Sequence, residues 1–331
     1  MSDHLFSNKN IASSKHSLLA LTVAALLAMT GLTACSSPNS SESKVNDTVS
    51  VDTIDIDTVK GKVSLAINPA PLVVYDMTLM QDLAALDVAI AGMPSDLPLD
   101  NLQSKNQPEP KAVGTVFEPD LEALNAMQPQ AILVGSRMAE KYDALSSIAP
   151  TLDMTIDTAN IYESSKQRLL DLGALFDKSA QAATLQGNID SLIDETKAVT
   201  KDKGKGLIVM VNGNKMSTYG EKSRYGFVHT VLDIPMADNQ IADARHGQPI
   251  SFEYLQKTNP DWLFVIDRTA AIGEDGIGAK AVLENPLVAQ TNAWSKDQVV
   301  YLSPDYNLAF GGYYQWMQDL TTIRDAFTSA K

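Results

Sequence analysis

Arginine and histidine residues cluster in one stretch of this chain. The stretch holds three of the six arginines and both histidines that follow the N-terminal leader, namely Arg224, His229, Arg245, His246 and Arg268. A guanidinium group makes fixed, paired hydrogen bonds to anionic oxygens, and imidazole is a metal ligand and a proton acceptor near neutral pH. The cluster therefore predicts a site for an anion or a metal–anion complex. The alternative at this point is that ordinary loops carry a few arginines.

One of these arginines belongs to a motif that occurs twice. The copies run from Glu122 to Arg137 and from Glu253 to Arg268, with a proline seven residues after the glutamate and the arginine fifteen after it. The pattern predicts a short helix starting near the glutamate, a proline stop, a buried strand and an arginine at the strand's carboxyl end. Because open α/β sheets bind ligands beyond the carboxyl ends of their strands, each of two lobes would present an arginine to a shared cleft.

The chain begins with the pattern of an export signal. Basic residues precede a short apolar run, which ends in Leu32-Thr33-Ala34-Cys35 and resembles the signal of a bacterial lipoprotein. Cys35 is the only cysteine, and we expect it to be lipidated after removal of residues 1–34. The alternative is a simple secretory signal with an incidental cysteine. Residues 35–58 are polar, so we expect a flexible tether between the lipid and the folded part.

The remainder is long enough for two α/β lobes. Strands alternate with helical patterns, which is typical of parallel sheets. We expect an N-terminal lobe over 59–160, a linking helix over 161–177 and a C-terminal lobe over 178–331. Predicted elements include strands at 62–67, 207–211 and 298–302, a strand starting at 88–90, a helix capped by Asp76 and a final helix over 313–330.

Several functions are excluded by composition and motif. The sequence has no G-x-S-x-G, P-loop or H-E-x-x-H motif. Two histidines and no thiol in the mature chain argue against a zinc or manganese receptor built on three or more histidines. The formal net charge of −14 argues against nucleic acid and anionic lipid as partners.

Three further segments carry a resemblance to a known family. They are 243–253 (DARHGQPISFE), 265–268 (VIDR) and 301–306 (YLSPDY). Together with the lipoprotein signal and the single linking helix, they resemble the siderophore-binding lipoproteins of bacterial ABC importers, in particular the catecholate subgroup typified by the enterochelin- and petrobactin-uptake proteins. The resemblance implies a class III periplasmic binding protein, with two Rossmann-like lobes joined by one long α-helix.

The resemblance also implies roles for single residues. Arg137, Arg224 and Arg268 match the arginines that surround the catecholate oxygens. His246 and Tyr306 match residues that complete iron coordination when the siderophore supplies four oxygens. The loop after Tyr306 is about one residue shorter than is usual in the family. Glu122 and Glu253 match the pair that docks onto arginines of the membrane permease.

These implications lead to one expectation of function. The chain is expected to be a monomeric, lipid-anchored periplasmic protein that captures a ferric catecholate siderophore and delivers it to an ABC permease. It is expected to have no catalytic activity and no intrinsic cofactor. The alternatives are a receptor for haem, cobalamin or a hydroxamate siderophore and, in a different class, a surface hydrolase or adhesin. His229 is expected to pack within a helix.

Overall fold

The computed structural model describes residues 52–97, 109–242, 244, 246–271, 277–303 and 309–330. These residues belong to one compact unit of the chain. They form two five-stranded sheets and a hairpin of β1 (Thr53–Thr58) and β2 (Gly61–Ala66). Four predicted features lie outside the described residues: the signal peptide, Cys35, Arg245 and Tyr306.

The N-terminal lobe is built on a parallel sheet. Its elements are β3 (Leu72–Val74), α1 (Met77–Ala85), β4 (Gly92–Met93), β5 (Lys111–Ala112), α2 (Leu121–Met127), β6 (Ala131–Val134), α3 (Tyr142–Ser146) and β7 (Thr151–Asp153), with a 3-10 turn at Ala139–Lys141. The strand order is β5-β4-β3-β6-β7. The central strands β3 and β6 are apolar and fully buried, as expected of a sheet covered on both faces. Asp76 caps α1 by accepting hydrogen bonds from the backbone of Thr78 and Leu79, as predicted.

Two consecutive helices lead from the first sheet to the second. After a 3-10 turn at Thr158–Asn160 come α4 (Ile161–Leu175) and α5 (Ser179–Thr200). The two helices pack on each other, and α4 also packs on α1. Side chains of both lobes and of these helices share one apolar core, which includes Leu83, Leu172, Leu192 and Phe264. The helix predicted between the lobes is therefore present, and α5 extends the connection.

The C-terminal lobe has a mixed sheet. Its elements are β8 (Gly206–Asn212), β9 (Lys215–Tyr219), α6 (Phe227–Thr230), β10 (Gln248–Ile250), α7 (Phe252–Thr258), β11 (Trp262–Asp267), α8 (Arg268–Ala271), α9 (Ala279–Leu283), α10 (Asn292–Ser295), β12 (Val299–Tyr301) and α11 (Tyr313–Ser329), with a 3-10 turn at Val288–Gln290. The order is β10-β9-β8-β11-β12, in which β8, β11 and β12 are parallel and β9 is antiparallel to both of its neighbours. The final helix α11 packs against α5 and also against α1 of the other lobe.

Two sequence-based predictions of local structure are wrong. The predicted tether extends too far, because residues 53–58 form β1, paired antiparallel with β2. Ile54 and Ile56 alternate there with polar residues, and Ile56 is buried, so the segment has the period-2 pattern of a half-buried strand. The strand predicted to start at Val88 starts later, at Gly92.

The repeated motif corresponds to a repeated unit of structure. When Glu122 is aligned with Glu253, α2 and α7 begin and end at equivalent residues. Each helix has a side-chain cap two residues before the glutamate and ends on a residue with positive φ directly before the proline (Asp120 and Gln128 in the first copy, Ser251 and Asn259 in the second). The predicted order of helix, proline, buried strand and arginine is confirmed in both lobes.

Among the described helices, none is both long enough and apolar enough to cross a bilayer.

Candidate ligand-binding site

A cavity of about 500 Å³ lies between the two lobes. It is lined by residues of the N-terminal lobe and its exit (Ser136, Arg137, Thr155, Ile156, Thr158), of the C-terminal lobe (Tyr219, Lys222, Ser223, Arg224, Ala244) and by Phe310. The lining has cationic side chains, hydroxyl groups and two aromatic rings. Because carboxylates are absent from this described lining, the cavity suits an anionic ligand with aromatic parts.

Arg137 reaches the cavity from the carboxyl end of β6, as the repeat predicted. The carboxylate of Asp76 lies so close to Gly135 that a side chain at position 135 would not fit. This arrangement keeps a negative charge near Arg137. Burial lowers the pKa of Arg137; the charge of Asp76 opposes this effect and that of Arg224 adds to it. Because arginine stays protonated even so, a positive charge is held at the cavity wall.

Arg224 reaches the cavity from the turn between β9 and α6, beside a pair of tyrosines. Its guanidinium carbon lies 4.9 Å from the centroid of the Tyr225 ring, within the range of a cation–π contact. Tyr225 packs edge-on against Tyr219, with ring centroids 4.8 Å apart and an interplanar angle of 82°. Burial raises the pKa of both tyrosines, and the charge of Arg224 opposes it. The two tyrosines therefore stay uncharged and orient the guanidinium of Arg224.

Arg268 occupies the equivalent position in the second lobe, directly after β11. Its Nη1 donates to Oδ1 of Asn212 at 3.3 Å. Among the described residues, the cavity lining includes Arg137 and Arg224 but not Arg268. The positive charges of Arg224 and Arg268 both oppose the effect of burial on the pKa of Tyr225.

His246 lies beside the cavity on an exposed turn. Its backbone carbonyl accepts a hydrogen bond of 3.0 Å from the hydroxyl of Tyr219, a residue that lines the cavity. The imidazole itself is not among the described lining. His229, by contrast, lies in α6, and its Nδ1 is 2.8 Å from the carbonyl oxygen of Ile234, in agreement with the predicted packing role.

Glu122 and Glu253 lie away from the cavity on the first turns of α2 and α7, and both side chains are exposed. Hydrogen bonding from Ser251 lowers the pKa of Glu253. The two carboxylates are therefore equivalent, solvent-facing groups, one on each lobe. Large apolar side chains are also exposed on and next to α2, namely Phe117 and Leu121.

Sequence reasoning missed several residues of the cavity wall. Tyr219 could have been found, because Gly213-Asn214 is a hairpin-turn signal and Tyr219 ends the strand that follows it. Thr155 and Thr158 follow β7, at the same sheet edge as Arg137. Phe310 has no local signal, since its place at the cavity depends on contacts distant in sequence.

A second cavity of about 520 Å³ lies beside α4 and α5. Its charged lining consists of Glu163, Asp190, Asp194 and Lys197. Carboxylates outnumber cations in this lining, so it does not suit an anion. In the part of the chain that the structure describes, no group of three or more His, Cys, Asp or Glu side chains could hold a metal ion.

Comparison with known families and proteins is consistent with this geometry. Residues 72–306 match the periplasmic binding protein family. The chain belongs to this family. The petrobactin-binding protein YclQ of Bacillus subtilis is 36% identical over 312 residues, which are 92% of this chain and 98% of YclQ. The ferric-anguibactin-binding protein FatB of Vibrio anguillarum is 37% identical over 252 residues, which are 74% of this chain and 78% of FatB.

Solved structures of periplasmic binding proteins have the same fold. The crystal structure of YclQ superposes with a TM-score of 0.78 at 33% identity, covering 83% of this chain and 99% of that chain. BauB, solved with two acinetobactin molecules and ferric iron, gives a TM-score of 0.75 at 28% identity, with coverage of 83% and 99%. The catecholate-siderophore-binding protein VctP of Vibrio cholerae gives 0.76 at 25% identity, with coverage of 83% and 100%. The predicted fold class, a class III periplasmic binding protein, is confirmed, and so is the resemblance on which it rested.

Proposed function

We propose that this periplasmic binding protein captures a ferric catecholate siderophore and delivers it to an ABC permease for iron uptake. The observation that carries the proposal is the cavity between the lobes, which is lined by Arg137, Arg224 and Tyr219. YclQ, FatB and BauB are named for petrobactin, ferric anguibactin and acinetobactin, and VctP for a catecholate siderophore, which supports a ferric siderophore as the ligand. The protein acts by binding and release rather than by catalysis.

The charges of the cavity fit such a ligand. A ferric catecholate complex carries net negative charge on its metal-bound oxygens. Guanidinium groups donate to such oxygens, and each charge-assisted hydrogen bond contributes on the order of 1.5–3 kcal/mol. Phe310 and Tyr219 offer ring faces and edges to the catechol rings. Arg268 adds a positive charge that acts on both tyrosines, Tyr219 and Tyr225.

Iron is the cargo, and the proposal gives His246 and Tyr306 a role in holding it. Ferric iron is a hard cation that accepts oxygen and nitrogen donors. A tetradentate siderophore leaves two coordination positions, which an imidazole and a phenolate would fill. His246 lies one hydrogen bond from the cavity wall through Tyr219. The role of Tyr306 is carried over from the family resemblance.

Delivery and location complete the proposal. Glu122 and Glu253 are proposed to dock onto arginines of the permease, one from each lobe. Their exposure and their equivalent positions on the two lobes support this role. Cys35 is proposed to carry the lipid that anchors the monomeric protein in the periplasm, with residues 1–34 removed.

The proposal is tested by fluorescence titration of the purified protein, which contains three tryptophans. The added complexes are ferric forms of a tetradentate bis-catecholate, a hexadentate tris-catecholate and a hydroxamate. We expect the catecholates to quench at nanomolar concentrations and the hydroxamate to have little effect. Binding of the hydroxamate, of haem or of cobalamin without binding of the catecholates would establish the alternative, a receptor of the same fold for another metal chelate.

The same titration tests the role of His246. His246→Ala should weaken binding of the tetradentate complex much more than binding of the hexadentate complex, since only the former leaves open positions on the iron. Equal losses for the two complexes would contradict a direct bond between His246 and the metal.

A further inference from the structure

One part of the cavity wall is formed by Phe310, three residues before α11. Phe310 lines the cavity, and Gly311 follows it with φ of +84°, a conformation that favours glycine. A Cβ at position 311 would lie 2.7 Å from Cδ1 of Ile156, another residue of the lining. The backbone next to Phe310 therefore packs closely against Ile156.

A buried ion pair lies directly behind this segment. Nη2 of Arg168 on α4 is 2.8 Å from Oδ2 of Asp82 on α1, and Nε of Arg168 donates to the same oxygen at 3.1 Å. The two side chains are only 5% and 2% exposed. Burial raises the pKa of Asp82 to about 6, and the charge of Arg168 opposes it. Neither group is in the cavity lining.

The pair is hydrogen-bonded to the backbone at Gly311 and Tyr313. Nη2 of Arg168 donates to the carbonyl oxygen of Gly311 at 3.3 Å, and the backbone N–H of Tyr313 donates to Oδ1 of Asp82 at 2.9 Å. Gln81, next to Asp82 on α1, accepts from the backbone N–H of Gln315 at 3.0 Å. A helix of the first lobe and the linking helix thus hold the chain where it enters α11.

Ser303, which follows β12, is hydrogen-bonded to α11. The backbone N–H of Ser303 donates to Oδ1 of Asp319 at 3.0 Å, and the side-chain amide of Gln315 donates to the other oxygen of Asp319. Gln315 therefore connects the anchor at Ser303 with the anchor on α1. These are buried hydrogen bonds, so the loss of one leaves a polar group without its partner.

The buried ion pair contributes little to the net stability of the fold. Burying two charges costs desolvation energy that their attraction repays only in part, and a packed apolar pair would often be as stable. The distinctive property of this pair is geometric, because a guanidinium can bond a carboxylate and a carbonyl at once. Its bonds join α1, α4 and the segment that bears Phe310.

We propose that Arg168, together with Asp82, is a positioning residue that holds the Phe310 wall of the cavity and thereby sets the affinity for the siderophore. Arg168 acts on the cavity in which the siderophore is bound, so its role rests on the proposed function. It does not touch the ligand itself.

The test is a double-mutant cycle between Arg168 and Phe310. Arg168→Lys keeps the charge opposite Asp82 but loses the Nε donor and the planar guanidinium that fixes Nη2 between the carboxylate and the Gly311 carbonyl. The measured quantity is the Kd for a ferric bis-catecholate, for the wild type, Arg168→Lys, Phe310→Ala and the double variant. We expect Arg168→Lys to weaken binding by about tenfold, and the double variant to bind no more weakly than Phe310→Ala alone, because residues that act through one another are not additive.

Controls separate positioning from loss of stability. Leu83→Ala removes a fully buried side chain of α1 and should lower the melting temperature without changing Kd, and Arg324→Lys on the surface of α11 should change neither. Gln81→Ala removes the side chain that accepts from the backbone N–H of Gln315. This variant should reproduce the loss of affinity even if Arg168→Lys fails to fold.

Unchanged affinity in Arg168→Lys would overturn the proposal, and so would unchanged affinity in Gln81→Ala where Arg168→Lys does not fold. Losses that multiply in the double variant would also overturn it. If the wild type does not bind the complex, the proposed function itself is wrong.

Discussion

At the scale of single residues, the positions that carry arginine instead of lysine were the most useful guide to the ligand site. Most basic residues of the chain are lysines, and they suit solvent-facing positions. The arginines at 137 and 224 line the cavity, and Arg168 bonds two partners inside the core. Arginine at the carboxyl end of a strand could be predicted from the repeat. That Arg268 would donate to Asn212 could not, because this contact depends on neighbours brought together by the fold.

His229 gives a residue-scale prediction about pH. Burial lowers the pKa of His229, and its Nε2 is buried without a hydrogen-bond partner among the described atoms. In the unfolded chain the imidazole protonates at a pH of about 6.5. As the pH falls below this value, the imidazole is protonated in the unfolded state but stays neutral in the folded state. The free energy of unfolding therefore decreases.

The measurement is the free energy of unfolding of the wild type and of His229→Gln at pH 7 and pH 5. The wild type should lose more stability between these values than the variant does. His246→Gln, which removes an exposed histidine, is the control and should keep the wild-type loss. If His229→Gln loses as much stability as the wild type, the imidazole is not held in its neutral form.

At the scale of elements, the helix–strand unit was predicted best. The Glu-to-Arg spacing predicted two equivalent helices and strands because proline and the helix caps fix their ends locally. The hairpin of β8 and β9 was missed although Gly213-Asn214 joins the two strands as a two-residue loop. The β1 strand was missed because the polar composition of residues 35–58 predicted a flexible tether, although Ile54 and Ile56 alternate there with polar residues.

The equivalence of α2 and α7 leads to a prediction about delivery. Glu122→Ala and Glu253→Ala remove exposed carboxylates far from the arginines, so the Kd for the ferric siderophore should not change. Iron uptake by cells that depend on this protein should fall, most strongly in the double variant. Glu140→Ala, which removes an exposed glutamate of the same lobe as Glu122, is the matched control and should leave uptake intact. A loss of affinity instead would place these glutamates in the ligand site.

At the scale of the whole molecule, the sequence predicted two lobes but not how closely they are joined. The predicted linking helix α4 is followed by α5, and α11 then packs on α5 and on α1. These helices enclose an apolar core to which both lobes contribute. Such contacts join residues far apart in the chain, so no local sequence pattern predicts them. These packing contacts place the Arg168–Asp82 pair and the Phe310 wall between the lobes.

The central claim is that the arginines of the inter-lobe cavity bind the ferric catecholate. The most direct measurement is the Kd of a ferric bis-catecholate for the wild type and for the double variant Arg137→Gln with Arg224→Gln. Arg324→Gln, which removes a surface guanidinium of α11, is the control. Loss of two charge-assisted hydrogen bonds should weaken binding by about 100-fold or more in the double variant, while the control binds as the wild type does. Unchanged affinity in a double variant that keeps its melting temperature would contradict the account, because the siderophore would then bind elsewhere.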